Sequence, residues 1–250
     1  MLIEQDYAKI MSGVRHGKTL GSPIGMTIEN KDWANWLEAM SVGYVENPSQ
    51  EGRNRRVTRI RPGHADLPGT MKYGFDDVRN SLERASARET AARVAAGAVA
   101  MRFLEEFGII MRSHVISIGS VWSEQKDEID WDLVEESPVR CADENAAVKM
   151  MLEIDAAKDA GDTVGGTVEI IAENVPIGLG SHVHWDRKLD GLISQALMSI
   201  NAVKAVSIGP GWDIIGEWGS KVQDIIEPVN DPEHPWQRKT NRAGGLEGGM

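Results

Sequence analysis

The sequence predicts an α+β fold in which helices are layered on antiparallel sheets. One long alanine-rich stretch has apolar residues at helical spacing, and short apolar runs beside the helical stretches end at glycines. Helices and strands that alternate with such turns are typical of layered α+β domains. Hydrophobic residues make up 41% of the 250 residues and charged residues 26%, which is ordinary for a globular chain with a sizeable core.

The longest predicted helix spans residues 87–107. An S-x-x-E capping box at residues 86–89 starts it, and its many alanines have the highest helix propensity of any residue. Val94, Ala98 and Met101 recur on one face, so we expect that face to be buried. Gly108 is well placed to end the helix.

Further elements follow from apolar periodicity and from the turn residues between them. The predicted helices span residues 143–160, with Gly161 as the stop, and 189–200, and a short helix covers 32–40. The predicted strands span residues 24–28, 109–118, 167–175 and 203–208. Residues 41–60 are polar and arginine-rich without a period, which indicates a long loop of the kind that is usually functional or disordered.

A short internal similarity joins the ends of two helix–strand units. Residues 115–119 read V-I-S-I-G after the longest helix, and residues 206–209 read V-S-I-G after the helix at 189–200. We predict a single domain over residues 1–250. An old duplication into two pseudo-repeated halves, about 1–140 and 141–250, stays open as an alternative.

Charge and cysteine content exclude several classes of protein. The formal net charge of −11 disfavours nucleic acid and anionic membrane surfaces, which need a basic face. Cys141 is the single cysteine, so neither an internal disulfide nor a cysteine-rich zinc site can form, and we expect a small buried residue in a reducing cytoplasm. No apolar run approaches the length of a membrane span, and the first residues do not form a secretory signal.

A basic loop stands out against this acidity. Five arginines fall within nine residues, at positions 53, 55, 56, 59 and 61. The guanidinium group matches phosphate and carboxylate, so the cluster could bind anions. A solvated loop whose arginines pair with the abundant Asp and Glu residues is the alternative, and the charge pattern alone leaves both open.

The start of the longest helix is a second candidate anion site. Arg84, Ser86 and Arg88 lie there, where free backbone N–H groups and the helix dipole already favour negative charge. Arginines at the positive end of a helix repel its dipole, and a strongly anionic ligand bound there would offset this repulsion. Alternatively they pair with neighbouring acids, for which the candidates are Asp76, Asp77 and Glu83.

His64 is the candidate acid/base residue. It lies in the turn R-P-G-H-A-D at residues 61–66, between an arginine and an aspartate, and histidine can transfer protons near neutral pH. A plain turn residue is the alternative. The other histidines form no recognisable metal-ligand set, so we predict no metal site, and the glycine-rich stretches fit no dinucleotide or P-loop pattern.

The most specific pattern is a series of ordered sequence blocks. They read S-G-V-R-H-G-K-T-L-G-S-P-I at 12–24 with I-E-N-x-D at 28–32, R-P-G-H-A-D at 61–66, K-Y-G at 72–74, R-A-S-A-R-E-T at 84–90 with R-V-A-A-G at 93–97, P-x-G-L-G at 176–180, A-L-M-S-I-N-A-V-K at 196–204 and N-R-A-G-G-x-x-G-G at 241–249. In content and order these blocks resemble the chorismate synthase family over nearly the whole chain.

The resemblance implies a carbon–oxygen lyase of the shikimate pathway, which serves aromatic amino acid biosynthesis. The family converts 5-enolpyruvylshikimate 3-phosphate to chorismate by anti 1,4-elimination of phosphate and a ring hydrogen. It requires reduced FMN without net redox change, and NADPH is a candidate reductant. A β-α-β sandwich, a homotetramer and a cytoplasmic location are implied as well.

The resemblance also implies roles for single residues. Arg61 and Arg88 would hold the anionic groups of the substrate, and His64 would exchange a proton with the reduced flavin. Contacts to FMN are implied for Arg84, Ala85, Ser86, Asn201, Ala202 and Gly248. A non-catalytic flavin- or anion-binding fragment of the enzyme is the alternative function.

The blocks also imply that the chain corresponds to the central part of the family sequence. The family's opening G-E-S-H-G motif and the G-R-G loop that precedes the M-x-I-E of residues 1–4 are not found, nor are the K-P-I-P-T and R-S-D motifs. Ala205 stands where the family usually has glycine.

Overall fold

The computed structural model describes residues 6–49, 51–83, 85, 87–124, 128–232 and 235–250. The chain divides into two compact units, Met1–Ala98 with Ile177–Met250, and Val99–Pro176. These boundaries differ from those of the halves 1–140 and 141–250, and the internal repeat stays a prediction. Helices and antiparallel strands both occur, which confirms the α+β class.

The elements are numbered in chain order. The strands are β1 (Ala8–Ser12), β2 (Val14–Arg15), β3 (Lys18–Thr19), β4 (Gly25–Ile28), β5 (Ile110–Ile118), β6 (Val121–Trp122), β7 (Gly166–Glu173), β8 (Ile226–Pro228) and β9 (Trp236–Arg238). The α-helices are α1 (Asp66–Tyr73), α2 (Arg79–Leu82), α3 (Ala87–Glu105), α4 (Trp131–Glu136), α5 (Glu144–Asp159), α6 (Leu189–Met198) and α7 (Gly219–Val222).

The Val99–Pro176 unit is built on an antiparallel sheet with the strand order β6-β5-β7. β5 pairs with β7 from Ile110 opposite Glu173 to Ile118 opposite Gly166, which confirms the strands predicted at 109–118 and 167–175. Helix α5 packs on this sheet. The buried cluster consists of Cys141, Ala146, Ala147 and Met150, against which Val115, Ile118, Val121 and Val139 pack.

The ends of α5 show why its sequence predicts it well. The Asp143 carboxylate accepts hydrogen bonds from the backbone N–H groups of Asn145 and Ala146, at 3.0 and 3.1 Å. This satisfies N–H groups that lack a partner inside the helix. Gly161 follows the last turn with a φ of +66°, a conformation that glycine adopts without strain.

Helix α3 is continuous over Ala87–Glu105, as predicted, whereas its predicted capping residue Ser86 lies outside the described residues. The predicted burial of its apolar face is wrong. Val94 is 66% exposed and Met101 43% exposed, and Ala98 is exposed as well. An alanine-rich helix has little contrast between its faces, so the sequence specifies the helix without specifying the side that is covered.

In the other unit the strands form small antiparallel pairs, β1 with β4, β2 with β3, and β8 with β9. β4 confirms the strand predicted at 24–28, and α6 confirms the helix predicted at 189–200. Residues 41–49 and 51–60 are irregular, apart from a 3-10 turn at Gly52–Asn54, as the loop prediction requires. None of the helices in the described ranges is long and apolar enough to cross a membrane.

Two predicted elements are not formed as expected. The helix predicted at 32–40 is reduced to a 3-10 turn at Trp33–Asn35. The Asp32 carboxylate accepts from the side chains of Asn35 and Trp36 and not from backbone N–H groups, so it does not cap a longer helix. The strand predicted at 203–208 is absent, and the segment is a loop. A strand requires a pairing partner, which an apolar run alone does not supply.

Candidate functional site

The centre of the candidate site is a cluster formed by Arg61, His64, Asp66 and the carbonyl of Ala85, here called the His64 cluster. The Pro62-Gly63 turn, with a φ of +72° at Gly63, folds the chain so that Arg61 and Asp66 meet. Both the backbone N–H and the side-chain Nε of Arg61 donate to Asp66 Oδ2, at 3.1 and 3.0 Å.

The imidazole of His64 is held by oxygen atoms at both of its nitrogens. Nδ1 lies 2.5 Å from Asp66 Oδ1, and Nε2 lies 3.1 Å from the carbonyl oxygen of Ala85. Both oxygens can only accept, so a doubly protonated ring satisfies both contacts and a neutral ring satisfies one. The side chain is 22% exposed, so the ring is fixed in orientation and still reached by solvent.

Arg61 covers the face of this ring. Its Nη2 lies 3.2 Å from Nδ1 and 3.0 Å from Nε2 of His64. One atom cannot lie in the ring plane opposite both nitrogens, so the guanidinium lies over the ring. Arg61 and Asp66 therefore hold the ring on its face and at Nδ1, and Ala85 lies at Nε2.

Asp66 stays ionised in the folded protein. Its side chain is fully buried, and hydrogen bonding from the Arg61 side chain lowers its pKa from 3.8 to about 2. Burial acts in the opposite direction, and the Arg61 backbone N–H and the His64 ring add to the lowering. Asp66 therefore orients His64 as a carboxylate, a role that the His-x-Asp spacing could have indicated from the sequence.

Arg88 lies at the start of α3, three residues after Ala85. Its Nη1 is 2.8 Å from Asp6 Oδ1, and its Nη2 donates to the Glu29 carbonyl at 3.3 Å. The acid paired with it is thus Asp6, which was not among the candidates considered from the sequence. Its predicted neighbours Arg84 and Ser86 lie outside the described residues.

The basic loop, residues 53–61, is partly neutralised. Arg53 pairs with Asp32 at 2.7 Å and Arg61 with Asp66 at 3.0 Å. In the part of the chain that the structure describes, Arg55, Arg56 and Arg59 form no ion pair. Pairing with acids therefore explains two of the five arginines.

A further candidate segment follows helix α6. Arg93 of α3 donates to Ser199 Oγ at 3.0 Å, which ties α3 to the residues just before Asn201 and Ala202. Ala202 has a φ of +70°, an uncommon conformation for a residue with a Cβ. Strained backbone of this kind is concentrated at ligand sites.

The glycine-rich loop 241–249 carries Gly248 and is anchored by Asp224. The Asp224 carboxylate accepts from Thr240 Oγ1 at 2.5 Å and from the backbone N–H groups of Arg242 and Ala243 at 2.8 and 2.9 Å. Burial raises the pKa of Asp224, but these hydrogen bonds outweigh it and leave the pKa below its ordinary value.

Loop 241–249 also lies directly against the 203–208 segment. A Cβ on Gly209 would come within 2.3 Å of the Arg242 carbonyl oxygen, so the two loops touch through backbone. Gly248 has a φ of +64°, and among the described residues no atom lies within 4 Å of where its Cβ would be. Its backbone is therefore open to a ligand.

These contacts bring together part of the predicted site. Arg61, His64 and Ala85 meet directly, and Arg88 lies one turn farther along α3. The convergence of Asn201, Ala202 and Gly248 with them on one ligand stays a prediction. No group of three or more His, Cys, Asp or Glu residues within the described ranges is arranged to hold a metal ion.

Comparison with known proteins identifies the family. A sequence model described as chorismate synthase matches residues 1–250. The chain is 57% identical over 254 residues to the chorismate synthase of Geobacillus sp. (strain WCH70), covering all of this chain and 64% of that protein. It is 51% identical over 254 residues to the chorismate synthase of Bacillus subtilis (strain 168), with 65% of that protein covered.

A crystal structure of chorismate synthase matches the fold with a TM-score of 0.79 and 41% sequence identity, over 98% of this chain and 66% of that one. The family resemblance read from the sequence blocks is thus confirmed, and so is the fold class. The chain spans about 64% of the length of the first relative it matches. Over that span, the family model, the named relatives and the matched crystal structure show that the chain belongs to the chorismate synthase family.

Proposed function

We propose that this chain carries chorismate synthase chemistry, the conversion of 5-enolpyruvylshikimate 3-phosphate to chorismate by anti 1,4-elimination. The reaction makes it a carbon–oxygen lyase of the shikimate pathway. The observation that carries the proposal is the His64 cluster, in which a family motif holds a half-buried histidine between a carboxylate and a helix-end carbonyl.

His64 is proposed to hold and move a proton at Nε2. Asp66 lies against Nδ1 and fixes the ring, and the Ala85 carbonyl lies at Nε2, where it accepts when that nitrogen carries the proton. Loss of a positioned acid/base group of this kind typically slows an enzyme by about two to four orders of magnitude.

Arg61 and Arg88 are proposed to bind the anionic groups of the substrate. Arg61 uses Nε and Nη2 within the cluster, and its side chain is 49% exposed. Arg88 is 36% exposed at the start of α3, where the helix dipole also favours anions. Two guanidinium groups, one in the His64 cluster and one at the start of α3, suit a substrate with a phosphate and two carboxylates.

Reduced FMN is the proposed cofactor, with NADPH as the proposed reductant. Three features fit a flavin: the strained backbone at Ala202, the open backbone at Gly248, and the Arg93–Ser199 link beside Asn201. Ala85, Asn201, Ala202 and Gly248 would hold it, together with Arg84 and Ser86. When bound, it supplies electron density to the allylic system of the substrate and recovers it.

We further propose a cytoplasmic location and a homotetramer for the protein at the length of its relatives. The single, buried Cys141 suits a reducing compartment. The homotetramer rests on the family resemblance alone.

The test is an anaerobic assay of chorismate formation with chemically reduced FMN. It is run on this chain and on a version extended to the full length of its relatives, with oxidised FMN as the control. We expect equal amounts of chorismate and phosphate from the extended version, only with reduced flavin. An extended version that binds substrate and flavin but forms no chorismate would contradict the proposal and favour a binding protein without turnover.

A further inference from the structure

A cavity of about 380 Å³ lies beneath the basic loop, within the unit that contains the N-terminus. We call it the arginine cavity. Its volume falls in the range of small-molecule sites. Among the described residues, its lining includes four arginines and one carboxylate, which are Arg53, Arg55, Arg56, Arg79 and Glu83.

Arg79 builds the shape of this cavity. Its side chain is 9% exposed, and Nη2 donates to the carbonyl oxygens of Arg53 and Arg55 at 2.8 and 3.1 Å. Its Nη1 lies 3.7 Å from Asp77 Oδ2. A buried cation that holds two loop carbonyls fixes the backbone from which the neighbouring arginines project.

Trp36 supplies an aromatic wall. The guanidinium carbon of Arg53 lies 4.9 Å from the ring centroid of Trp36, and that of Arg79 lies 6.0 Å from it. The indole Nε1 donates to Asp32 at 2.7 Å, and Asp32 also binds Arg53. The wall and two of the arginines are therefore held in place before any ligand arrives.

The other two arginines have no such neutralisation. Arg55 and Arg56 are exposed and form no ion pair with the rest of the described chain. Bringing them beside Arg53 and Arg79 costs electrostatic energy, which an anion bound between them would offset. That they do so in a chain of net charge −11 favours the anion-binding interpretation of the loop over a solvated loop paired with acids.

We propose that the arginine cavity binds a small phosphorylated anion, at a site separate from the His64 cluster. Arg55 and Arg56 bind its phosphoryl group, because guanidinium groups match phosphate oxygens in pairs. The volume admits a ligand up to about the size of a mononucleotide. The site adjoins the His64 cluster along the chain, since Glu83 lines the cavity and Ala85 accepts from His64.

The test uses pyrophosphate as the probe, titrated calorimetrically into the 250-residue chain at about 0.15 M salt, where exposed charges are screened. The key variant is Arg55→Ala with Arg56→Ala. It keeps the Arg55 carbonyl that Arg79 binds. It removes two exposed side chains that form no ion pair among the described residues, so the fold is retained. Arg102→Ala is the control. Arg102 is 82% exposed, so this variant also removes an exposed positive charge, at a position far from the arginine cavity in the sequence.

We expect a dissociation constant below about 1 mM that weakens at least about tenfold in the double variant and stays unchanged in Arg102→Ala. Arg88→Ala separates this site from the proposed substrate site. Binding that is lost in Arg88→Ala but kept in the double variant overturns the proposal, as does an equal loss in the Arg102 control. Chorismate formation does not enter the readout, so this inference can fail while the proposed function stands.

If the double variant fails to fold, a second measurement on the unaltered chain tests the site. The indole N–H resonance of Trp36, assigned with Trp36→Phe, should shift when pyrophosphate is added to the unaltered chain. An unshifted Trp36 resonance at saturating pyrophosphate would place the ligand elsewhere and refute the site.

Discussion

At the scale of single residues, two His-x-Asp pairs of this chain behave differently. His64 and Asp66 are 2.5 Å apart with Asp66 fully buried, whereas His184 and Asp186 are 2.9 Å apart with side chains 60% and 55% exposed. The same spacing therefore gives an oriented, partly buried pair in one place and a solvated surface pair in the other. The two pairs differ because Asp66 is buried and is also bound by Arg61, whereas Asp186 is exposed.

The first prediction is that Asp66→Asn destabilises the protein by about 1.5–3 kcal/mol at neutral pH, because buried hydrogen bonds to a charged group are lost. Asp186→Asn is the matched control and should change the free energy of unfolding by less than about 0.5 kcal/mol. Urea unfolding of both variants measures the difference. Similar changes in the free energy of unfolding for the two variants would show that the buried hydrogen bonds of Asp66 do not stabilise the protein.

The pH dependence of this effect follows from the pKa of Asp66. The folded pKa of about 2 lies below the ordinary 3.8, so the stabilisation is present above the ordinary pKa and is lost as pH falls toward the folded value. We expect the difference between the unaltered protein and Asp66→Asn to shrink as the pH of the urea series is lowered through this interval. A difference that stays constant would exclude ionised Asp66 as its cause.

At the scale of elements, local signals predict part of the fold. The cap at Asp143 and the stop at Gly161 define α5, and alanine content defines α3, because these effects act within one turn of helix. The absent strand at 203–208 and the exposed face of α3 were mispredicted, since both depend on what lies opposite in space.

The second prediction concerns two helical glycines. Among the described residues, no atom beyond the backbone of its own helix lies within 4 Å of a Cβ placed on Gly97 in α3, so Gly97→Ala should stabilise by about 0.5–1 kcal/mol. A Cβ on Gly69 in α1 would meet Ser81 Oγ, which donates to the Ala65 carbonyl at 3.0 Å, so Gly69→Ala should destabilise. Urea unfolding of both variants tests this. A change of the same sign in both would contradict it.

The third prediction concerns the glycine-rich loop 241–249. Asp224→Ala removes the acceptor of the Arg242 and Ala243 N–H groups, so these two amides should exchange hydrogen at least about tenfold faster. Asp213→Ala, at an exposed position, is the control. Unchanged exchange in Asp224→Ala would mean that the loop is held by its backbone contact with Gly209 alone.

At the scale of the whole molecule, the site depends on contacts between distant parts of the sequence. His64 meets Ala85, 21 residues away, Arg88 meets Asp6, 82 residues away, and Arg93 meets Ser199, 106 residues away. Periodicity and capping cannot predict such contacts. The family resemblance indicates the candidate site residues, and the structure adds Asp66 and Asp224 as the residues that hold His64 and loop 241–249 in place.

The most direct test of the account is the turnover number of His64→Ala, measured with reduced FMN in the version extended to the length of the relatives. His184→Ala, which removes the exposed histidine of the other His-x-Asp pair, is the matched control. We predict that kcat falls by about two to four orders of magnitude in His64→Ala with substrate affinity nearly unchanged, and that His184→Ala has no effect. An unchanged kcat would contradict the proton-transfer assignment, and a defect confined to KM would show that His64 only binds substrate.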